Sequence, residues 1–92
     1  MHDWTLLSAK FEWAEARVTL YFLNSISERV SIIAEETTSL VMPKKDEWGR
    51  SVSVNIVTGP NLQEDGAFLL VVEMQCGDAI EVIARSFILP PA

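Results

Sequence analysis

AFLLVVEMQCGDAIEVIARSF, residues 67–87, decides the fold class. Two apolar runs rich in β-branched residues, AFLLVVEMQ and AIEVIARSF, flank Cys76-Gly77-Asp78. Runs of this length and composition suit a pleated surface, and a three-residue connection with a glycine free to take positive φ closes an antiparallel hairpin. Within the first run Phe68, Leu70, Val72 and Met74 share one face and Leu69 and Val71 the other. The return run repeats this, with Ile80 and Val82 against Ile83 and Phe87. A strand that is apolar on both faces lies inside a rolled sheet or sandwich, or is covered by a second copy of the chain. A homodimer or higher assembly is therefore expected.

Outward from this hairpin the same period of two recurs. LLSAKFEW places Leu7, Ala9, Phe11 and Trp13 on one side, which predicts an inward face with Trp13 in the core. Ala14-Glu15-Ala16 supplies a turn into RVTLYFL, where Val18, Leu20 and Phe22 alternate with Thr19 and Tyr21. Asn24-Ser25-Ile26-Ser27 turns the chain again into ERVSIIAEE, with Val30, Ile32 and Ala34 on one face. Ser39 to Met42 reads as a separate short strand ended by Pro43. In SVSVNIV, Val52, Val54 and Ile56 are expected to point inward and Ser51, Ser53 and Asn55 outward, with Thr58-Gly59-Pro60-Asn61 closing the strand. FILPPA stops the last strand with two prolines.

Residues 25–41 admit two readings. Ser25 and Glu28 have capping-box spacing, and Val30, Ile33, Thr37 and Val41 fit a helical stripe. Against a helix stand Val30, Ile32, Ile33, Thr37 and Thr38, stiff at χ1 and better suited to a strand. The predicted fold is all-β: residues 1–92 form one β domain, a small antiparallel sheet of six to seven strands, rolled or folded as a barrel-like sandwich. The alternative is α+β with one helix near 25–41.

Composition narrows the function. A chain of 92 residues, 49% hydrophobic and 22% charged, is one globular domain near the lower size at which a single core suffices. It begins MHDWTLLSAK, without the basic start and apolar run of a secretory signal, and its longest apolar stretch, AFLLVV, is strand length. A soluble, cytoplasmic protein is expected, with no membrane partner. One cysteine, Cys76, can form no internal disulfide and agrees with a reducing compartment. The formal charge of −6 repels phosphate backbones, so no nucleic-acid partner is expected. Residues 43–50 are locally basic, while the flanking segments are acidic.

No constellation carries catalysis. His2 lacks a second histidine for a metal site, and nothing in the sequence near Cys76 would activate its thiol. Gly49 and Gly59 lack the spacing of a phosphate loop. No enzyme activity, catalytic residue, metal or cofactor is expected. Glu47, Trp48, Arg50, Ser51, Ser53 and Asn55 form the candidate binding stretch. Trp48 beside Arg50 matches the residue types that dominate binding hot spots. Trp48 can equally fold back as a lid over the core, as the usual burial of tryptophan favours.

HDW at the start, EWGRSVSVN in the middle and EMQCGDAIEVIA near the end resemble a group of small bacterial proteins, some similar to immunity proteins of polymorphic toxin systems. The likeness implies a cytoplasmic protein that binds and blocks a toxin domain. Together with the acidic charge it predicts a non-enzymatic protein-binding module, an immunity-type inhibitor of a basic partner. The alternative is a small-ligand-binding β protein that uses an apolar cavity or an inter-subunit cleft, with Ser51, Ser53 and Asn55 on its polar rim.

Overall fold

Six antiparallel strands carry the chain in a computed structural model that describes residues 4–42, 53–75 and 77–90. They are β1 (Thr5–Glu12), β2 (Arg17–Leu23), β3 (Arg29–Val41), β4 (Val54–Leu62), β5 (Phe68–Met74) and β6 (Ala79–Ile88). Their order in the sheet is β1-β2-β3-β6-β5-β4. The protein is thus two three-stranded meanders joined edge to edge through β3 and β6, with the second half mirroring the strand order of the first. The described residues contain no helix, so the strand reading of 25–41 holds.

The sheet is rolled. Its two outer strands meet where Thr5 bridges Ser53 and the Val54 N–H donates to the Trp4 carbonyl at 2.8 Å. The roll encloses one inner face built from alternate residues: Val18, Leu20 and Phe22 of β2; Ile32 and Ala34 of β3; Leu70, Val72 and Met74 of β5; Ile80, Val82 and Ala84 of β6. Val54 joins them, and Trp4 and Leu6 pack against the cluster from β1. The period-two pattern of β2 and β5 maps onto this burial, as does that of β6 from Ile80 to Ala84; Phe87, expected on the opposite face with Ile83, pairs with Ala34 and packs against the cluster.

β3 is one strand of 13 residues, and residues 39–41 of the short strand expected at Ser39 to Met42 are its end. Its first half pairs with β2, up to Val18↔Ala34, and its second half with β6, from Ile33↔Ile88 to Val41↔Glu81. Glu36 takes a positive φ of 53° and the register slips between Thr37 and Ser39. Irregularities of this kind bend a strand and raise its twist, which lets β3 pass from one meander to the other.

Local chemistry sets the turns. Asn24 Oδ1 accepts from the N–H groups of Ile26 (3.0 Å) and Glu28 (2.9 Å), with Ser27 at φ 62°. This Asx geometry removes the donors that a Ser25 cap would have used. Between β5 and β6 the Met74 N–H donates to the Asp78 carbonyl at 2.8 Å, and Gly77 has φ 100°, the conformation expected of the glycine there. Cys76 lies outside the described residues, as do His2 and Asp3.

Two predicted inward faces are corrected. In β1 the register slips between Leu6 and Ser8, so Trp4 and Leu6 point inward while Leu7 is exposed. Past the slip Ala9 pairs with Leu20 and Phe11 with Val18, yet both are exposed, because the closure at Thr5 does not extend that far along β1. Trp13 falls in the turn after the strand and is 84% exposed. Among the described residues the tryptophan in contact with the core is Trp4, whose ring lies 5.4 Å from that of Phe22.

In β4 the register slips between Val54 and Ile56, so Ile56, expected inside, is half exposed and Val57 packs on the core. Nor does Thr58-Gly59-Pro60-Asn61 close the strand. β4 runs on to Leu62 through a second irregularity between Thr58 and Asn61.

Candidate binding groove at the first turn

Glu47, Trp48, Arg50 and Ser51 lie outside the described residues. Ser53 is half-buried and acts in the closure: it bridges Thr5, and its carbonyl accepts from the Gln75 N–H at 3.0 Å. Asn55 is exposed and occupies the register slip of β4. Phe11 lies six residue steps along β1 from Thr5, roughly 20 Å of strand. Ser53 and Asn55 therefore belong to a different end of the roll from the most exposed aromatic side chains.

Those side chains are Phe11 and Trp13. Their rings meet edge to face at a centroid distance of 5.6 Å, a geometry that aromatic quadrupoles favour. Together with Ala16 and residues 37–40 of β3 they line an open groove of about 470 Å³. The turn is fixed against β3 by one short hydrogen bond, from the Thr37 N–H to the Ala16 carbonyl at 2.7 Å. Both sides of that contact are strained: Ala16 has φ 50° and Glu36 φ 53°, in the left-handed region that L-residues other than glycine and asparagine seldom enter. Strained backbone held by its surroundings concentrates at binding and switch regions.

Glu15 and Glu36 are exposed and directly precede the lining residues Ala16 and Thr37 in the chain. Glu12 lies 3.6 Å from Arg17 in a partly exposed ion pair, and among the described residues Glu15 and Glu36 have no ion-pair partner. The groove combines a flat aromatic anchor, polar backbone and negative charge, which suits recognition of a cationic, partly apolar surface. Among the described residues no three His, Cys, Asp or Glu side chains gather into a metal-binding group. A further open groove is lined by residues between Asn24 and Ile33 together with Ile88, Leu89 and Pro90.

Sequence reasoning missed this groove because it carried the parity of β1 through to Trp13. The signal that could have found it is the Leu6-Leu7 doublet, which breaks the alternation, followed by a tryptophan directly before the turn.

No family model matches the chain, and no curated protein matches it either. Among solved structures the chain is similar to the crystal structure of an uncharacterized protein from Neisseria gonorrhoeae, with a TM-score of 0.68 over 100% of this chain and 94% of that one. The two sequences are 13% identical, so the likeness is one of fold.

Proposed function

We propose that the protein is a non-enzymatic, cytoplasmic binding module that uses the Phe11–Trp13 groove to hold a basic protein partner, in the manner of an immunity-type inhibitor. The observation that carries this reading is Trp13, 84% exposed beside a second aromatic ring and two unbalanced carboxylates. A large aromatic left in water costs solvation that binding would recover, and tryptophan is among the residues most enriched at the centres of interfaces. The charge of −6 supports the choice of a basic partner, since long-range attraction raises association rates by roughly 10 to 1,000-fold at low salt.

The two kinds of contact separate kinetically. In a partner recovered from the native host, Trp13→Ala is expected to speed dissociation about tenfold or more, while Glu15→Lys and Glu36→Lys slow association and flatten its salt dependence. Surface binding kinetics at low and high salt check this. An acidic partner, or a salt-independent rate, would remove the electrostatic half of the reading.

Self-association is the second part of the proposal. Outward-facing Leu69, Val71 and Ile83 are half-buried, with Ile56 and Val41 exposed on the same side of adjoining strands and Glu73 and Glu81 between them; this partly apolar face supports self-association, without Phe87, which packs on the core. Light scattering at tens of micromolar is expected to give twice the chain mass, and Ile83→Lys is expected to return it to a monomer. A wild-type monomer would overturn this part.

A further inference from the structure

We infer that the partner enters the groove as an extended basic segment that adds a strand to β3. This deepens the reading of the groove as a protein-binding site and rests on it. On the side facing β2, β3 has ladder partners among the described residues only for Arg29 to Ala34; beyond them the backbone contact on that side among the described residues is Thr37 with Ala16. On its other side the strand pairs with β6 past the slip at Thr37, from Ser39 to Val41. Residues 39–41 are thus held in the ladder by one neighbour, and Thr38, Ser39 and Leu40 line the groove.

An extended backbone edge of this kind pairs with an incoming strand: main-chain hydrogen bonds supply affinity, and alternate side chains supply specificity. The β1–β2 turn fixes what those side chains must be. Phe11 and Trp13 stand over the edge and take an apolar residue, while Glu15 and Glu36 at its near end take lysine or arginine. β2 cannot fill the edge itself, since its pairing with β3 ends at Val18 and the chain reverses between Trp13 and Ala16. No strand among the described residues fills the edge, and the inferred occupant is a partner segment with alternating apolar and basic residues.

Selection from a displayed library of random peptides against the whole protein tests this directly. Enriched peptides are expected to alternate apolar and basic residues and to lose about tenfold or more in affinity against Trp13→Ala, whose circular dichroism stays that of the parent. They are also expected to slow amide hydrogen exchange at residues 38–41. N-methylation of alternate peptide residues should abolish binding in one phase and spare it in the other, as a one-sided strand ladder requires. Failure to enrich any peptide, equal loss in both methylation phases, or no added protection at 38–41 would overturn strand addition. If the recovered partner still needed Trp13 under those outcomes, the groove would stand as a binding site without an added strand.

Discussion

Phe22→Ala is expected to bring the protein close to unfolding. Phe22 is fully buried at the centre of the inner face, pairs with Leu6 and Val30 in the ladder, and stacks on Trp4. Truncating a buried phenylalanine costs about 3 to 5 kcal/mol, through lost transfer energy and the cavity that remains. A domain of this size holds only about 5 to 14 kcal/mol in all. Each kilocalorie moves the midpoint of so small a domain by about 4 to 8 °C, so a drop beyond about 12 °C is predicted by thermal circular dichroism. Trp13→Ala serves as the control. It gives up one edge-to-face contact with Phe11 and should cost under about 1.5 kcal/mol. A larger loss from Trp13 than from Phe22 would show that the core has been placed on the wrong side of β1.

Gly59→Ala and Gly77→Ala form the second contrast. The two glycines have nearly the same φ, 102° and 100°, and differ in what a side chain would meet. At Gly77 an added Cβ finds nothing within 4 Å, so the cost is the backbone strain alone, about 1 to 2 kcal/mol. At Gly59 it would sit 2.5 Å from the Leu69 carbonyl oxygen and 2.9 Å from the Asn61 nitrogen, both backbone atoms that cannot swing aside. Overpacking adds about 1 to 3 kcal/mol to the same strain, so Gly59→Ala should be the more destabilising by that margin. Urea titration of both variants reads the difference. Equal costs would mean that the β4–β5 contact at Gly59 is looser than its geometry states.

The contrast at Gly59 also shows where the sequence could be read and where it could not. Thr58-Gly59-Pro60-Asn61 has the composition of a turn and reads as the end of a strand. In the fold the same four residues form an irregularity inside β4, because β5 continues the ladder beyond it, with Leu69 opposite Asn61 and Phe68 opposite Leu62. Composition records local backbone conformation, whereas strand length is set by the partner. The same reason merged residues 39–41 with the strand before them: β6 pairs with β3 on both sides of the slip at Thr37.

Where alternation was unbroken, it was sufficient. Val18, Leu20 and Phe22, and Leu70, Val72 and Met74, occupy the inner face that their period requires. Alternation failed at doublets. Leu6-Leu7 in β1 and Ile56-Val57 in β4 each place two apolar residues side by side, and each accompanies a register slip that exchanges inside for outside. A slip of one residue inverts every later side chain on the strand, which is why Ile56 lies outside. The exposure of Trp13 has a further origin: the strand ends at Glu12 and Trp13 lies in the turn, beyond the reach of the alternation.

Of the candidate stretch read from the sequence, Glu47, Trp48, Arg50 and Ser51 lie outside the described residues, and Ser53 is taken up by closure of the sheet; the most exposed tryptophan among the described residues is Trp13, which the sequence reading places in the core. Backbone-amide NMR of the protein with and without its recovered partner tests the groove most directly. Chemical-shift changes confined to residues 11–16 and 36–41, and abolished by Trp13→Ala, are predicted. Changes centred on the outer face of β5 and β6, with full binding retained by Trp13→Ala, would contradict it.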